Sequence, residues 1–431
     1  MTSAKTGTAA KADRLPAAEV IAALLKDHAG LDLRLRAWDG SEAGPEKAPV
    51  VVIRSPRALQ RIAWRPGELG LARAYISGDL DIEGDLTDGL RQFWGALRDK
   101  GAPAGGLTER AARGIALAPT LRAARAAAKA VAQLKLLGPP PEPPACELRV
   151  RGRLHSRARD QAVIAGHYDL TAAFYQLILD PSMAYSCAYW APGITTLADA
   201  QRAKLELICR KLGLEAGQRL LDMGCGWGSL TIHAAKDHRV QVTGVTLSRE
   251  QGGYVRQRAR GLGLGDRAEV RIQDYRDPLD DRYDAVASVE MGEHVGAAQY
   301  PRFCAALHAR LRPGGRLLIQ QMSRGARAPG GGPFIESYIA PDMDMRPVGD
   351  TVRLIENAGF EVVGVEAMRE HYVRTIRAWL DNFEQNRPAV EAILSAEQVR
   401  VWRLYLAGGA LAFEEGRMGV DQILAVARST Q

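Results

Sequence analysis

An acid, Asp222, stands two residues before three glycines at alternate positions, Gly224, Gly226 and Gly228, in RLLDMGCGWGSL (219–230). Glycines so spaced let the backbone turn sharply and let a ligand lie against it, where a side chain would take the ligand's space. The dinucleotide fingerprint, G-x-G-x-x-G, has its acid at the end of the following strand, for ribose hydroxyls. Here the third glycine comes one residue early and the acid precedes the loop. The next apolar run, 240–245, ends in Thr246-Leu247-Ser248, so Thr246 and Gln251 are the nearest polar groups for a ribose. An acid before G-x-G-x-G suits a cationic ligand without a pyrophosphate, and S-adenosylmethionine (SAM) meets that description. Further polar groups that could do chemistry are Glu290, Glu293 and His294 in VEMGEHVG (289–296), and Gln320 and Gln321 in LLIQQM (317–322).

These groups need a scaffold. Strand, glycine turn, helix and strand from Arg219 to Val245 form the first half of a doubly wound parallel sheet. A helix over Leu197–Leu212 precedes it. AEVRIQDYRD (268–277) supplies a third strand, YDAVASV (283–289) a fourth and RPGGRLLIQQM (312–322) a turn and fifth. FEVVGVEAM (360–368) and the segment at His371 are expected to complete the sheet, with the rest of the chain mostly helical. Chemistry on open α/β sheets lies at the carboxyl ends of the strands, where Glu290, Glu293, His294, Gln320 and Gln321 fall.

The segments HYDLTAAFYQLILDPSMAYSCAYW (167–190), LLDMGCGWGSL (220–230), GVTLSREQ (244–251), QDYRD (273–277), GEHVG (292–296) and HYVRTIRAWLDNF (371–383) resemble, in order, the cyclopropane-fatty-acid synthase family. The resemblance implies a SAM-dependent methyltransferase that adds a one-carbon unit to the double bond of an unsaturated phospholipid acyl chain. It implies a class I SAM-methyltransferase sheet (Rossmann-like), a smaller α/β N-terminal domain that engages lipid, and helical additions. Carried over motif by motif, Tyr185 and Ser186 contact SAM beside Asp222, Gly224, Gly226, Gly228, Thr246, Leu247 and Gln251, while Asp274 and Tyr275 frame the adenine. Cys187, a residue type more often a small buried hydrophobe, lies at the reaction centre. Cys187, Glu293 and Tyr372 help hold a bound bicarbonate as proton acceptor, with His294 and Gln320 beside them. Two bare anions repel, so one of bicarbonate and Glu293 must carry a proton.

The chain departs from the family pattern at Gln320, where cyclopropane synthases carry a histidine that helps hold bicarbonate. Met322 replaces an isoleucine, and Glu290 stands where several relatives have glycine. Glutamine donates a hydrogen bond but is not protonated at physiological pH. Cyclopropane is the family product. Gln320 raises a second, a methylene-branched chain, which a separate reductase would convert to a methyl branch.

The length of 431 residues suggests two or three domains. The expected division is an N-terminal α/β domain (1–138), a Pro/Arg-rich linker (139–159) containing PPPEP, and the catalytic domain (160–431). Strands are expected in LDLRLRAWDG (31–40) and PVVVIRS (49–55), and a solvated turn at Asp79, Asp81, Glu83 and Asp85. Residues 99–138 are rich in alanine and cations, and LRVRGRLHSRARD (148–160) holds five arginines. With a net charge of +7 they favour an anionic phospholipid surface. Nucleic acid is disfavoured, since no N/D-P-P-Y/F motif or aromatic single-strand platform is present. The five cysteines include no C-x-x-C pair, which argues against a metal site and for a cytoplasmic protein. No run of eighteen apolar residues appears, so membrane association is expected to be peripheral. A homodimer is the remaining expected partnership.

Overall fold

Alternation in LDLRLRAW and the β-branched run VVVI build a small sheet near the N-terminus. The computed structural model describes residues 16–26, 31–46, 48–98, 138–148, 152–160, 171–278, 282–325 and 330–428. The chain divides into two units, Met1–Pro144 and Ala145–Gln431. The alanine-rich basic segment expected over 99–138 lies outside the described residues, Gly138 apart.

In the first unit, α1 (Ala17–Leu24) is followed by β1 (Arg34–Arg36), β2 (Glu42–Ala43), β3 (Val50–Ile53), α2 (Pro56–Trp64), α3 (Glu68–Ile76), β4 (Leu80–Glu83) and α4 (Leu86–Arg98). The strand order is β2-β1-β3-β4, with β1 and β3 parallel. Ile21, Leu35, Ile53, Ala58 and Ala74 form its core. In the acidic turn, Asp79 accepts hydrogen bonds from Ser55, Ser77 and Arg61.

In the second unit, α5 (Ala172–Ile178) and α6 (Leu197–Leu212) precede β5 (Arg219–Met223), α7 (Ser229–Asp237), β6 (Gln241–Thr246), α8 (Arg249–Gly261), β7 (Ala268–Ile272) and β8 (Tyr283–Val289). Then come α9 (Tyr300–Ala309), β9 (Leu311–Ser323), α10 (Pro333–Tyr338), α11 (Val348–Asn357), β10 (Phe360–Ala367), α12 (Arg369–Gln385), α13 (Arg387–Ile393), α14 (Ala396–Glu414) and β11 (Gly419–Ala427). The seven strands run in the order β10-β11-β9-β8-β5-β6-β7. β6, β8 and their outer neighbours β7 and β9 pair in parallel, and β11 alone runs antiparallel to both its partners. The order reverses at β5, between β6 and β8, and an open α/β sheet leaves a crevice at that point.

Two expectations need correction. The segment at His371 belongs to α12, not the sheet, and the last strand is β11, in the stretch expected to be helical. β11 is buried along most of its length, so its run VDQILAVA lacks the alternation of a half-exposed strand. The described residues of the expected linker after Pro144, 145–148 and 152–159, fall within the second unit. Leu148 N donates to Ser337 O, and Arg159 pairs with Asp342. No helix among the described residues is long and apolar enough to cross a membrane.

Candidate active site

The glycine turn leaves β5 with Gly224, Gly226 and Gly228 all at positive φ, +87°, +52° and +79°. Gly224 N and Cys225 N donate to Val245 O at 3.0 and 2.9 Å, which pins the turn to β6. A Cβ at Gly228 would sit 2.6 Å from a Val255 methyl, so α8 packs where only glycine fits. A Cβ at Gly226 would meet no protein atom within 4 Å, because that residue faces a cavity.

Tyr185, Ser186, Lys204, Asp222, Trp227, Gln251 and Glu290 line the same cavity. Burial pushes Asp222 up to about 6, against a 2.7 Å hydrogen bond from Thr231 and the charge of Lys204. Lys204 is 1% exposed and donates to Ser186 Oγ at 2.9 Å. Burial lowers its pKa, against the pull of Glu290, Asp180 and Asp222. At the mouth of β6, Thr246 donates to Gln251 Oε1 (2.8 Å), and Ser248 caps α8 by accepting from Gln251 N. An open backbone cradle, a buried acid and an unpartnered buried donor, Trp227 Nε1, fit a cationic sulfonium nucleoside. Leu247 and the pair Asp274–Tyr275 are not among the groups lining the cavity. Asp274 accepts from Arg276, which outweighs burial and holds its carboxyl low, and Tyr275 packs edge-on against Phe303.

Deeper in, the donors expected around bicarbonate meet the Glu290 carboxylate instead. Cys187 N and Gln320 Nε2 donate to Oε1 at 2.7 and 2.9 Å, and Tyr372 Oη donates to Oε2 at 2.6 Å. Glu290 stands just past β8 with φ +51°, a conformation that costs a residue other than glycine about 1–2 kcal/mol. Burial raises its pKa, against these three hydrogen bonds and Lys204. The donors expected to hold bicarbonate are thus already taken by a carboxylate of the chain, and a second bare anion beside it would be repelled.

A chain of hydrogen bonds orients Gln320. Lys211 Nζ can only donate, and it meets Gln422 Oε1 at 2.6 Å. Gln422 Nε2 therefore turns to Gln320 Oε1 (2.8 Å), which leaves the Gln320 amino group for Glu290 and for Cys187 O.

Glu293 is 1% exposed, accepts from Met322 N and keeps Oε2 unpartnered. Burial, then the Glu290 charge, pushes it up to about 8. Three donors meet the Glu290 carboxylate and one meets Glu293, so the hydrogen bonding favours Glu290 as the charged member of the pair. Burial and Glu290 also push the Cys187 thiol well up; its backbone amide, not its sulfur, serves the site. His294 is not brought to this cluster. Burial lowers its pKa to about 4, and the groups near it are His155 and Asp342.

An aromatic wall encloses these groups: Tyr175, Tyr185, Trp227, Trp379 and Trp402 lie with ring centroids 5.2–6.3 Å apart. Lys204, Gln422 and Lys211 were missed in the sequence. A signal existed for Lys204, a lysine on the buried stripe Ala200-Leu205-Ile208-Leu212 of α6.

Residues 155–423 match the family model for mycolic acid cyclopropane synthetase. A probable fatty acid methyltransferase of Pseudomonas putida is 36% identical over 92% of this chain and 92% of its own length. Tuberculostearic acid methyltransferase UfaA1 of Mycobacterium tuberculosis is 32% identical over 91% of this chain and 87% of its own. Among solved structures, the mycolic acid cyclopropane synthase CmaA1 complexed with SAH and CTAB has a TM-score of 0.58 at 30% identity, covering 62% of this chain and 98% of that one. The glycine cradle and its buried acid thus belong to a SAM-binding sheet of known type, and the chain belongs to the mycolic acid cyclopropane synthetase family of SAM-dependent methyltransferases.

Proposed function

We propose that this enzyme methylates the double bond of an unsaturated phospholipid acyl chain, with Glu290 as a built-in proton acceptor, and releases a methylene-branched chain. The observation that carries this reading is the convergence of Cys187 N, Gln320 Nε2 and Tyr372 Oη on the Glu290 carboxylate.

SAM supplies an electrophilic methyl group when bound. Asp222, the glycine turn, Gln251, Tyr185 and Ser186 would hold it. An isolated alkene is a weak nucleophile, so alignment with the donor is the main contribution of the fold, worth roughly 7–11 kcal/mol in well-oriented systems. Bond formation at one alkene carbon leaves a cation on its neighbour, in a site walled by tyrosine and tryptophan faces that stabilise positive charge and exclude water. A hydride shift moves the cation to the carbon bearing the new methyl. Loss of a methyl proton to Glu290 then gives the exocyclic alkene. Loss of a methyl proton before the shift would close a cyclopropane.

The full-length relatives are named fatty acid and tuberculostearic acid methyltransferases, which favours the branched product. Reduction to a methyl branch needs a reductant, so a separate reductase would complete it. A peripheral encounter with an anionic phospholipid surface fits the net charge of +7.

The test is incubation with SAM and vesicles of monounsaturated phospholipid, followed by mass spectrometry of the acyl chains. The expected product has gained one CH2 and keeps a reducible, exocyclic double bond. A saturated ring would leave the methyl transfer in place and overturn the branched product. Methylation of a polar heteroatom would overturn the whole reading.

A further inference from the structure

Away from the cavity, α6 and α7 bring three metal-binding groups together, with a fourth beside two of them. Ligand atoms of Cys209, His233 and His238 lie within 4.8 Å of one another. Glu206, one helical turn before Cys209, brings its Oε2 against the two histidines, 3.0 Å from His238 Nε2 and 3.5 Å from His233 Nε2. His233 Nε2 is buried with only that long contact to Glu206, while its other nitrogen faces Asp237 at 2.9 Å. That is the arrangement of a metal-binding imidazole: a carboxylate holds one nitrogen and thereby aims the other. The C-x-x-C test misses it, because the ligands come from two helices that only the fold brings together.

We propose that Cys209, His233, His238 and Glu206 form a zinc site that clamps α6 to α7. One thiolate, two imidazoles and a carboxylate are a donor set suited to tetrahedral zinc. Ligand distances of about 2.0–2.3 Å place tetrahedral donors roughly 3.3–3.6 Å apart, so the cluster closes by about an ångström as the metal enters. His238, with 18% of its side chain exposed, has room to make that movement. Zinc binding displaces the Cys209 proton to solvent, so affinity rises with pH. The clamp matters to the cofactor site because α6 carries Lys204 and α7 grows directly from the Gly228 turn.

The test uses the full-length protein, stripped with a chelator and titrated with Co2+. The expected result is saturation at one metal per chain, with tetrahedral d–d bands and a thiolate charge-transfer band in the near ultraviolet. Cys209→Ser removes the charge-transfer band, and Asp237→Asn weakens cobalt binding roughly 10–100-fold. Zinc displaces cobalt and raises the unfolding temperature of the wild type but not of His238→Gln. SAM binding by each variant confirms its fold, and if Cys209→Ser does not fold, the more exposed His238 and Asp237 variants decide. No charge-transfer band in the wild type, or a band unchanged by His238→Gln and Asp237→Asn, overturns the site.

Discussion

Tyr372 Oη donates to Glu290 Oε2 at 2.6 Å, a hydrogen bond that joins the first turn of α12 to the exit of β8. It favours the carboxylate over the acid. Tyr372→Phe should therefore raise the pKa of Glu290 and move the acidic limb of the kcat profile to higher pH. Loss of one hydrogen bond to a charged group is worth about 1.5–3 kcal/mol, so kcat should fall roughly 10–100-fold with SAM affinity unchanged. An unmoved acidic limb would show that this bond does not tune the base.

Glu293 makes stability depend on pH. Its carboxyl is raised to about 8 in the folded protein, well above an unfolded glutamate. A raised pKa means stability is greatest below the unfolded value and is lost as pH climbs through the folded one. Urea titrations should show stability falling from about pH 5 to 8, by on the order of several kcal/mol, with that slope reduced in Glu293→Gln. Equal slopes in both proteins would contradict a raised pKa at Glu293.

Gln422 acts through Gln320. In Gln422→Leu the Gln320 amide loses the partner on its oxygen and is free to flip, which would aim a carbonyl at Glu290. The expected outcome is a fall in kcat of roughly tenfold, as for a loss near 1.4 kcal/mol, with the Kd for SAM unaffected. Equal losses in SAM binding and kcat would mean a structural role only.

Gly226 and Gly228 should separate binding from folding. Gly228→Ala strains a φ of +79° and drives a Cβ into Val255, so it should destabilise the protein by more than the roughly 1–2 kcal/mol of the backbone strain alone. Gly226→Ala meets no protein atom, so it should fold with only that strain yet lose SAM affinity, because its methyl enters the cavity. Calorimetry of unfolding and of SAM binding measures both, and normal affinity in Gly226→Ala would displace SAM from this cradle.

Much of the scaffold was legible because it follows from local chemistry. The glycine turn, the helix Leu197–Leu212 and strands β5–β9 come from periodicity and turn residues alone. What stayed hidden depended on distant segments meeting. Glu290 reads in the sequence as an odd replacement for glycine, and its role emerges only when Cys187, Gln320 and Tyr372 converge on it. Asp274 looks like a free acid until Arg276 folds back on it. Lys204 is hard to read from the sequence because lysine is rarely buried without partners, and its partners, Ser186, Asp222 and Glu290, lie on other segments.

In the proposed reaction a carboxylate of this chain does the work of an external base. Turnover should be measured in carbonate-free buffer and with added bicarbonate, for the wild type, Glu290→Gln and Glu290→Gly, the last of which suits the φ of +51°. The wild type should be indifferent to bicarbonate, Glu290→Gln should be at least about 100-fold slower with SAM binding intact, and bicarbonate should partly rescue Glu290→Gly. A wild type that stops without bicarbonate, or a Glu290→Gln enzyme that turns over normally, would contradict it.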